Sequence, residues 1–247
     1  MVSADLLIIK TADGSDTLFH KSLNQHYHST FGALKESLHV FIETGFLYAV
    51  EKLNSDPGAE INSIDILEIG FGTGLNALLT AIAADKHRIK VNYTSIEPFP
   101  VSEDFWRALN YPRQIEPASQ TELFENLHLS AWNESMAISP WFTLNKIFGK
   151  MEDYIPVAGE FNLVYFDAFS PDVQPELWNV DIFARLHNAL QQEGVLVTYS
   201  VKGTIVRALK SAGFCTEKLP GPPGKRHILR AEKKIHASPK PFLHRER

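Results

Sequence analysis

The chain has one cysteine, Cys215, in 247 residues. A single thiol excludes an internal disulfide and any zinc site built on cysteines. Cys215 falls in a strand pattern, where a small buried hydrophobe is expected rather than a nucleophile. No apolar run approaches the roughly 20 residues that span a bilayer, and the opening MVSADLLIIKTADGSD lacks a basic segment followed by an apolar one. A cytoplasmic location, with no membrane partner, is the expectation. A phosphate loop ending in Gly-Lys and Ser or Thr is missing, and so is the GxGxxG spacing of dinucleotide sites. His26 and His28 alternate, so an extended segment points them to opposite sides, which argues against a metal pair; no metal is expected. A general basic excess is missing too. The formal net charge of −5 argues against a surface that grips nucleic acid everywhere. From Lys218 onward, however, nine Lys or Arg stand against two acids, so this end carries +7 and the remainder −12. Such a balance suits an acidic body with one basic edge able to touch a phosphate backbone locally, or equally a solvated polar tail.

The apolar and charged fractions, 44% and 21%, are those of an ordinary globular protein. The length suits one α/β domain with a small extension. Its organising stretch is SIDILEIGFGTG, from Ser63. An apolar strand carrying Glu68 runs into Gly70, Gly72 and Gly74, and LNALLTAIAA (Leu75 to Ala84) follows as a helix. Alternate glycines allow positive φ and close approach of backbone to a ligand, and the helix start supplies unpaired N–H groups. Glu97 closes the next strand (Val91 to Ile96), about where a ribose diol needs a bidentate acceptor. ExGxGxG followed by that second acid resembles the S-adenosylmethionine site of class I methyltransferases.

Before this unit, residues 1 to 22 alternate around Asp13-Gly14 and read as a β-hairpin. Glu36 to Val50 reads as an amphipathic helix with Leu38, Phe41, Ile42, Gly45, Phe46 and Ala49 on its core face. Tyr27 to Thr30, ahead of it, can fold over a ligand as a loop. Asn54 to Asn62 is a linker. After Glu97, helical stretches (Val101 to Asn110, Thr121 to Leu129) are broken by Pro112 and Pro117, with Trp106 and Trp132 as core residues. Phe142 to Phe148 is a third strand, followed by a loop and short helix. Phe161 to Phe166 is apolar enough for the centre of a parallel sheet. It ends in Asp167, a carboxylate at the strand end where open α/β sheets bind ligands. A helix from Val173, with Pro175 in its first turn and Asn179 to Leu190 continuing it, leads to a fifth strand (Gly194 to Ser200), a helix stopped by Gly213, and two final strands joined by GPPGK.

HYHSTFGALKESLHVFIETG, EIGFGTGLNAL, YFDAFSPDVQPELW and GPPGKRHIL together resemble, in order and over nearly the whole chain, the methyltransferase domain of the tRNA 5-methylaminomethyl-2-thiouridine biosynthesis (MnmC) family and its single-domain relatives. The resemblance implies a Rossmann-like class I methyltransferase: α/β, a mostly parallel seven-stranded sheet with an antiparallel last strand, plus a small N-terminal β-hairpin and helix extension. The implied division is 1–53 as an extension covering the site, 63–235 as the methyltransferase domain and 236–247 as a basic tail. The implied reaction moves a methyl group from S-adenosyl-L-methionine to the aminomethyl nitrogen of a tRNA wobble uridine, a separate enzyme supplying the aminomethyl uridine. Bifunctional members continue into a flavin-dependent oxidase domain; this chain stops at Arg247, so no flavin is expected.

Carried over by position, Glu68, Gly70, Gly72 and Gly74 form the loop around the methionine moiety and Glu97 binds the ribose, with Phe71, Thr73, Asn76 and Pro98 also against the cofactor. Asp167, Ala168 and Phe169 line the junction of cofactor and acceptor amine, and Tyr27 and Ser29 come from the N-terminal segment that covers the site. Where class I members commonly have Gly-Asp after the third strand, Lys150 follows the glycine here. Adenine contact then falls to the Met151 backbone with Glu152 or Asp153, or is looser. Asp167 is the catalytic candidate, able to accept a hydrogen bond from the acceptor amine and receive its proton; its alternative is a turn cap. Lys225 and Arg226 are the candidates for tRNA phosphate. A methyl- or aminopropyltransferase acting on a small free amine, or a non-catalytic cofactor-binding module, would share the glycine loop.

Overall fold

Short apolar strands alternating with amphipathic helices bury both strand faces only when helices cover both sides of one sheet. The computed structural model describes residues 5–55, 63–115 and 120–234. Most of the expected linker (56–62), Pro117 and the basic tail 236–247 lie outside the described residues.

β1 (Leu6–Lys10) and β2 (Asp16–His20) form the expected hairpin, with Gly14 at φ 85° in its turn, and β3 (Gln25–His26) adds a third strand. α1 (Ala33–Ser37), a π-helical stretch Leu38–Leu47 and α2 (Tyr48–Asn54) then run on without a break. Leu38, expected on the core face, is exposed at the start of this π-helical stretch, whose wider turns depart from the 3.6-residue period behind that expectation, while Val40, Phe41, Ile42 and Phe46 are buried. The helix lies very close to the sheet at Gly45, where a Cβ would stand 3.0 Å from the Val197 side chain and 3.1 Å from the Tyr165 ring.

The main sheet is built from β4 (Ser63–Ile69), α3 (Leu75–His87), β5 (Lys90–Glu97), α4 (Glu103–Ala108), α5 (Tyr111–Gln114), α6 (Gln120–Leu129), β6 (Ser135–Ser139), β7 (Phe142–Phe148), β8 (Phe161–Phe166), α7 (Val180–Ala189), β9 (Leu190–Thr198), α8 (Gly203–Ser211), β10 (Cys215–Pro220) and β11 (His227–Glu232). Its order is β10-β11-β9-β8-β4-β5-β7-β6. The seven expected strands are present, β4, β5, β7, β8 and β9 in parallel register and β11 antiparallel to both β9 and β10. An eighth, β6, pairs antiparallel with β7 at the edge; it is short and mostly exposed, without the alternating buried face that marks a strand in sequence.

Four local expectations are corrected. Residues 151–153 form a turn, with no helix after β7. Pro175–Leu177 is a separate 3-10 turn, and α7 restarts because the Asn179 side chain accepts the N–H groups of Asp181 and Ile182 as a cap. Pro112 opens α5 at its first turn instead of ending a helix. Cys215 is exposed, since β10 is the sheet's edge strand. Trp106 is in the core as expected, whereas Trp132 is only half-buried.

The sheet divides the core. Ile64, Ile66, Tyr93 and Tyr165 pack toward α3 and the N-terminal helix; Leu67, Ile69, Val164 and Phe166 pack with residues of α7 and α8. Chain order runs outward from β4 in one direction (β5, β7) and from β8 in the other (β9), so the switch point lies between β4 and β8, where open sheets form a crevice.

Candidate active site

At that switch point three strand ends are tied together. The Gly70 N–H donates to Ile96 O at 2.9 Å and the Asp167 N–H donates to Ile69 O at 3.1 Å. Gly70, at φ 95°, passes so close to β8 that a Cβ would stand 3.0 Å from Asp167 O. The crevice opens into a cleft of about 880 Å³. Every residue expected against the cofactor lies on its wall except Glu68, Gly74 and Asp153; Lys225 lines it and Arg226 does not.

Glu68 is buried on the polar seam of β4. Its Oε2 accepts from Ser95 Oγ at 2.6 Å and its Oε1 from Asn76 Nδ2 at 3.1 Å. The same Asn76 Nδ2 donates to Asp167 Oδ2 at 2.8 Å. Burial pushes the Glu68 carboxyl up to about 7, against the opposing hydrogen bonds from Ser95 and Asn76. Asp167 is raised well above the usual carboxylate range, first by desolvation, then by the charges of Glu36 and Glu68, with the Asn76 hydrogen bond and Lys225 acting the other way. Glu97 accepts the Gly72 N–H on Oε2 (3.0 Å) and the Phe99 N–H on Oε1 (2.7 Å). Burial raises it as well, and those two N–H groups oppose the rise.

The glycine loop rests on a pillar that the sequence reading did not identify. The His128 imidazole stacks on Trp106 (centroids 4.5 Å apart, planes 6° apart) and its Nε2–H donates to Thr73 O at 3.1 Å. Burial lowers its pKa to about 3, so it stands neutral. Below it the buried Lys146 ammonium donates to His128 O at 2.6 Å, 4.7 Å from the Trp132 ring centroid and 5.4 Å from that of Phe71. Desolvation lowers the Lys146 amine to about 8.

Residues of the N-terminal segment line one side of the cleft. Tyr27 stands edge-on to Phe169 (4.9 Å, 76°) and against Gly72, where a Cβ would meet its ring at 3.3 Å. The Ser29 N–H donates to Glu36 Oε2 at 2.6 Å. The loop after β8 is held by Gln174, whose Oε1 accepts the Phe169 N–H, and by Trp178, whose Nε1–H donates to Phe169 O, which explains the joint presence of DAFSP and PELW. At the other rim Lys150, Met151 and Glu152 reach the wall while Asp153 does not. Their turn is pinned by Arg185 Nη1, which donates to the carbonyls of Met151, Glu152 and Tyr154.

Lys225 does not lie along the outer hairpin edge. Its Nζ pairs with Glu36 Oε1 at 2.5 Å and sits 4.1 Å from the Tyr199 ring centroid, inside the cleft. Arg226 is exposed. Glu36, Tyr199 and Arg185 were missed: Glu36 and Arg185 read as ordinary polar helix positions. Tyr199, just beyond β9 as Asp167 is just beyond β8, could have been found by the same strand-end rule. His26 and His28 also face the cleft, and among the described residues no group of three or more His, Cys, Asp or Glu gathers as a metal site.

The wall chemistry fits a cationic, ribose-bearing cofactor. Acids stand beside the loop and at the end of β5, and Asn76 Oδ1 and Ser170 Oγ are buried there without a protein partner. A family model described as S-adenosyl-L-methionine-dependent methyltransferase matches residues 117–234. The tRNA 5-methylaminomethyl-2-thiouridine biosynthesis bifunctional protein MnmC of Paracidovorax citrulli (strain AAC00-1) is 32% identical over 228 residues, 87% of this chain and 34% of that protein. Its namesake from Burkholderia multivorans (strain ATCC 17616 / 249) is 29% identical over 230 residues, 87% of this chain and 33% of that protein. The chain thus spans about a third of the length of these curated relatives. The crystal structure of MnmC2 from Aquifex aeolicus superposes with a TM-score of 0.73 at 27% identity, over 95% of this chain and 72% of that one. Spermidine synthase from Thermotoga maritima, at 16% identity and a TM-score of 0.58 over 94% and 70%, shares the fold.

Proposed function

From the chain's membership in the S-adenosyl-L-methionine-dependent methyltransferases related to the MnmC methyltransferase domain, we propose that it methylates the aminomethyl nitrogen on the wobble uridine of tRNA. In this reading a separate enzyme supplies the aminomethyl uridine, the site of action is the cytoplasm, residues 63–235 carry the reaction, 1–53 cover it and 236–247 form a basic tail. The observation that carries it is the Glu68–Asn76–Asp167 chain: a carboxylate at the end of the central strand, oriented by an amide beside the glycine loop. Supporting it is the enclosure of that carboxylate between the loop and the Tyr27–Phe169 cover.

S-adenosyl-L-methionine, when bound, supplies an electrophilic methyl group. The chain's residues bind, align and handle protons. Asn76, with Gly70, Phe71, Gly72 and Thr73, would hold the methionine end, with Glu68 fixing Asn76 from behind; Glu97 and Pro98 would take the ribose, and Met151 and Glu152 the adenine edge. A free alkylamine is largely protonated at neutral pH, and only its neutral form has a lone pair to give. Asp167, with its raised pKa, accepts a hydrogen bond from the amine, orients the lone pair and receives the departing proton at Oδ1 or Oδ2. Ala168 and Phe169 keep water from that point.

The test is transfer of labelled methyl to tRNA bearing the unmethylated aminomethyl uridine, with spermidine and putrescine as parallel acceptors. Label in the tRNA nucleoside, lost in Asp167→Asn while cofactor binding persists, is the expected result. Label only in the polyamines, or turnover unchanged in Asp167→Asn, overturns it.

A further inference from the structure

We propose that Glu36, Asp167 and the ring face of Tyr199 form the seat for the acceptor's ammonium group, and that Lys225 fills this seat until an acceptor displaces it. The inference rests on the reading of the protein as an amine methyltransferase, and it assigns to Glu36 and Tyr199 a role in acceptor binding and to Lys225 that of a built-in occupant.

Glu36 is 5% exposed, yet its carboxylate forms part of the cleft wall. One oxygen is fixed by the Ser29 N–H at 2.6 Å; the other faces Lys225 Nζ at 2.5 Å. The same Nζ lies 4.1 Å from the Tyr199 ring centroid. A carboxylate and an aromatic face are the two groups that hold alkylammonium ions in a water-poor site. The Tyr199 hydroxyl donates to Ala168 O at 2.9 Å, so the ring is tethered one residue beyond Asp167 and the seat adjoins the proposed base. Both Glu36 and Lys225 act electrostatically on Asp167, in opposite senses.

The lysine end, a methylene carrying NH3+, is the same chemical group as a protonated aminomethyl substituent. Exchange of one for the other leaves the charge of the cleft unchanged, so the acceptor enters without leaving an uncompensated buried carboxylate, the costly alternative. Lys225 can leave: it stands on the turn between β10 and β11, after Gly224 at φ 84°, and its side chain is 28% exposed. Glu36 has no such freedom, since it is held by Ser29 and by the helix that carries it.

The experiment compares wild type with Glu36→Gln, Lys225→Met and Tyr199→Leu. Calorimetry, in the presence of S-adenosylhomocysteine, uses an anticodon stem-loop with or without the aminomethyl group on its wobble uridine. The readout is the affinity ratio between the two stem-loops, which cancels phosphate contacts. Gln at position 36 can still accept the Ser29 N–H, so the fold is retained and the affinity for S-adenosylhomocysteine stays within about twofold, while the ratio falls about tenfold or more. Tyr199→Leu lowers the ratio by roughly threefold to tenfold, and serves if Glu36→Gln does not fold. Lys225→Met raises it severalfold, because the competitor is gone. A ratio unchanged in Glu36→Gln, or lowered in Lys225→Met as in Glu36→Gln, overturns the proposal. If wild type does not distinguish the two stem-loops, the tRNA reading fails. The seat is then judged on spermidine binding by the same pattern of variants, and absent or variant-independent spermidine binding overturns it separately.

Discussion

Asn76 donates to Asp167 across the switch point, Nδ2 to Oδ2 at 2.8 Å, and shares that nitrogen with Glu68 at 3.1 Å. Two carboxyl groups on adjacent central strands are therefore oriented by one amide on the first turn of α3. The amide favours the ionised form of Asp167 against the burial that opposes it.

Removal of that amide in Asn76→Ala should lower kcat by about tenfold to a hundredfold through loss of orientation. The direction in pH is the sharper reading. Loss of a hydrogen bond to the charged form raises the Asp167 pKa further, so the acidic limb of the kcat/KM profile moves to higher pH. A lower plateau with an unmoved limb would mean that Asn76 acts only through the loop.

Glu68 makes stability depend on pH with a definite sign. Its carboxyl titrates near 4.5 when unfolded and near 7 in the fold. Between those values the native state holds a proton that the unfolded chain has lost, so stability falls as pH rises through the window and levels off above it. The full span is about 3 kcal/mol. Glu68→Gln keeps the shape, can accept from Asn76 and donate to Ser95, and does not titrate. Its Tm relative to wild type should therefore be higher at about pH 8 than at about pH 5; an equal difference at both would place the Glu68 proton elsewhere.

Much of this was legible because the informative residues are rare types at strand ends. Gly70, Gly72, Gly74, Glu97 and Asp167 each break an apolar run where the backbone must turn, so both position and chemistry show in one dimension. Glu36, Arg185, His128 and Lys146 left no such mark. Their partners are remote in sequence: Lys225 for Glu36, the 151–154 turn for Arg185, Thr73 for His128. A helix position that points into a cleft has the same local pattern as one that points into solvent. β6 was invisible for the related reason that a short, exposed edge strand needs no buried face, and the π-helical spacing of Leu38–Leu47 has no mark in the residue pattern.

Gly74 closes the loop at φ 73°, and a Cβ there would stand 2.8 Å from His128 Nε2 and 3.2 Å from the Phe71 ring. His128 cannot give way, being clamped between Trp106 and the Thr73 carbonyl. Gly74→Ala should cost about 2 kcal/mol or more from backbone strain and clash, a fall in Tm of roughly 4–8 °C for a chain of this size. Gly74→Ala combined with His128→Ala should recover part of that loss relative to His128→Ala alone. No recovery would leave backbone strain as the whole cause.

Substitution at Glu97 tests ribose recognition against charge recognition. Its two oxygens already accept the N–H groups of Gly72 and Phe99, so the carboxylate fixes the glycine loop and the turn after β5 before any ligand arrives. Glutamine is a poor substitute, because its NH2 must face one of those two N–H donors, which costs roughly 1–3 kcal/mol. Glu97→Gln should thus weaken S-adenosylmethionine and S-adenosylhomocysteine alike, by about tenfold to a hundredfold, since the two share the ribose and differ at sulfur. Neutralising Asp167, which lines the cleft, should change the ratio of the two affinities, and neutralising Glu68 behind the wall should change it less. Calorimetry with both ligands on all three variants reads the distinction. A ratio altered by Glu97→Gln but not by Asp167→Asn would mean that Glu97 faces the sulfur and that the cofactor lies in the cleft the other way round.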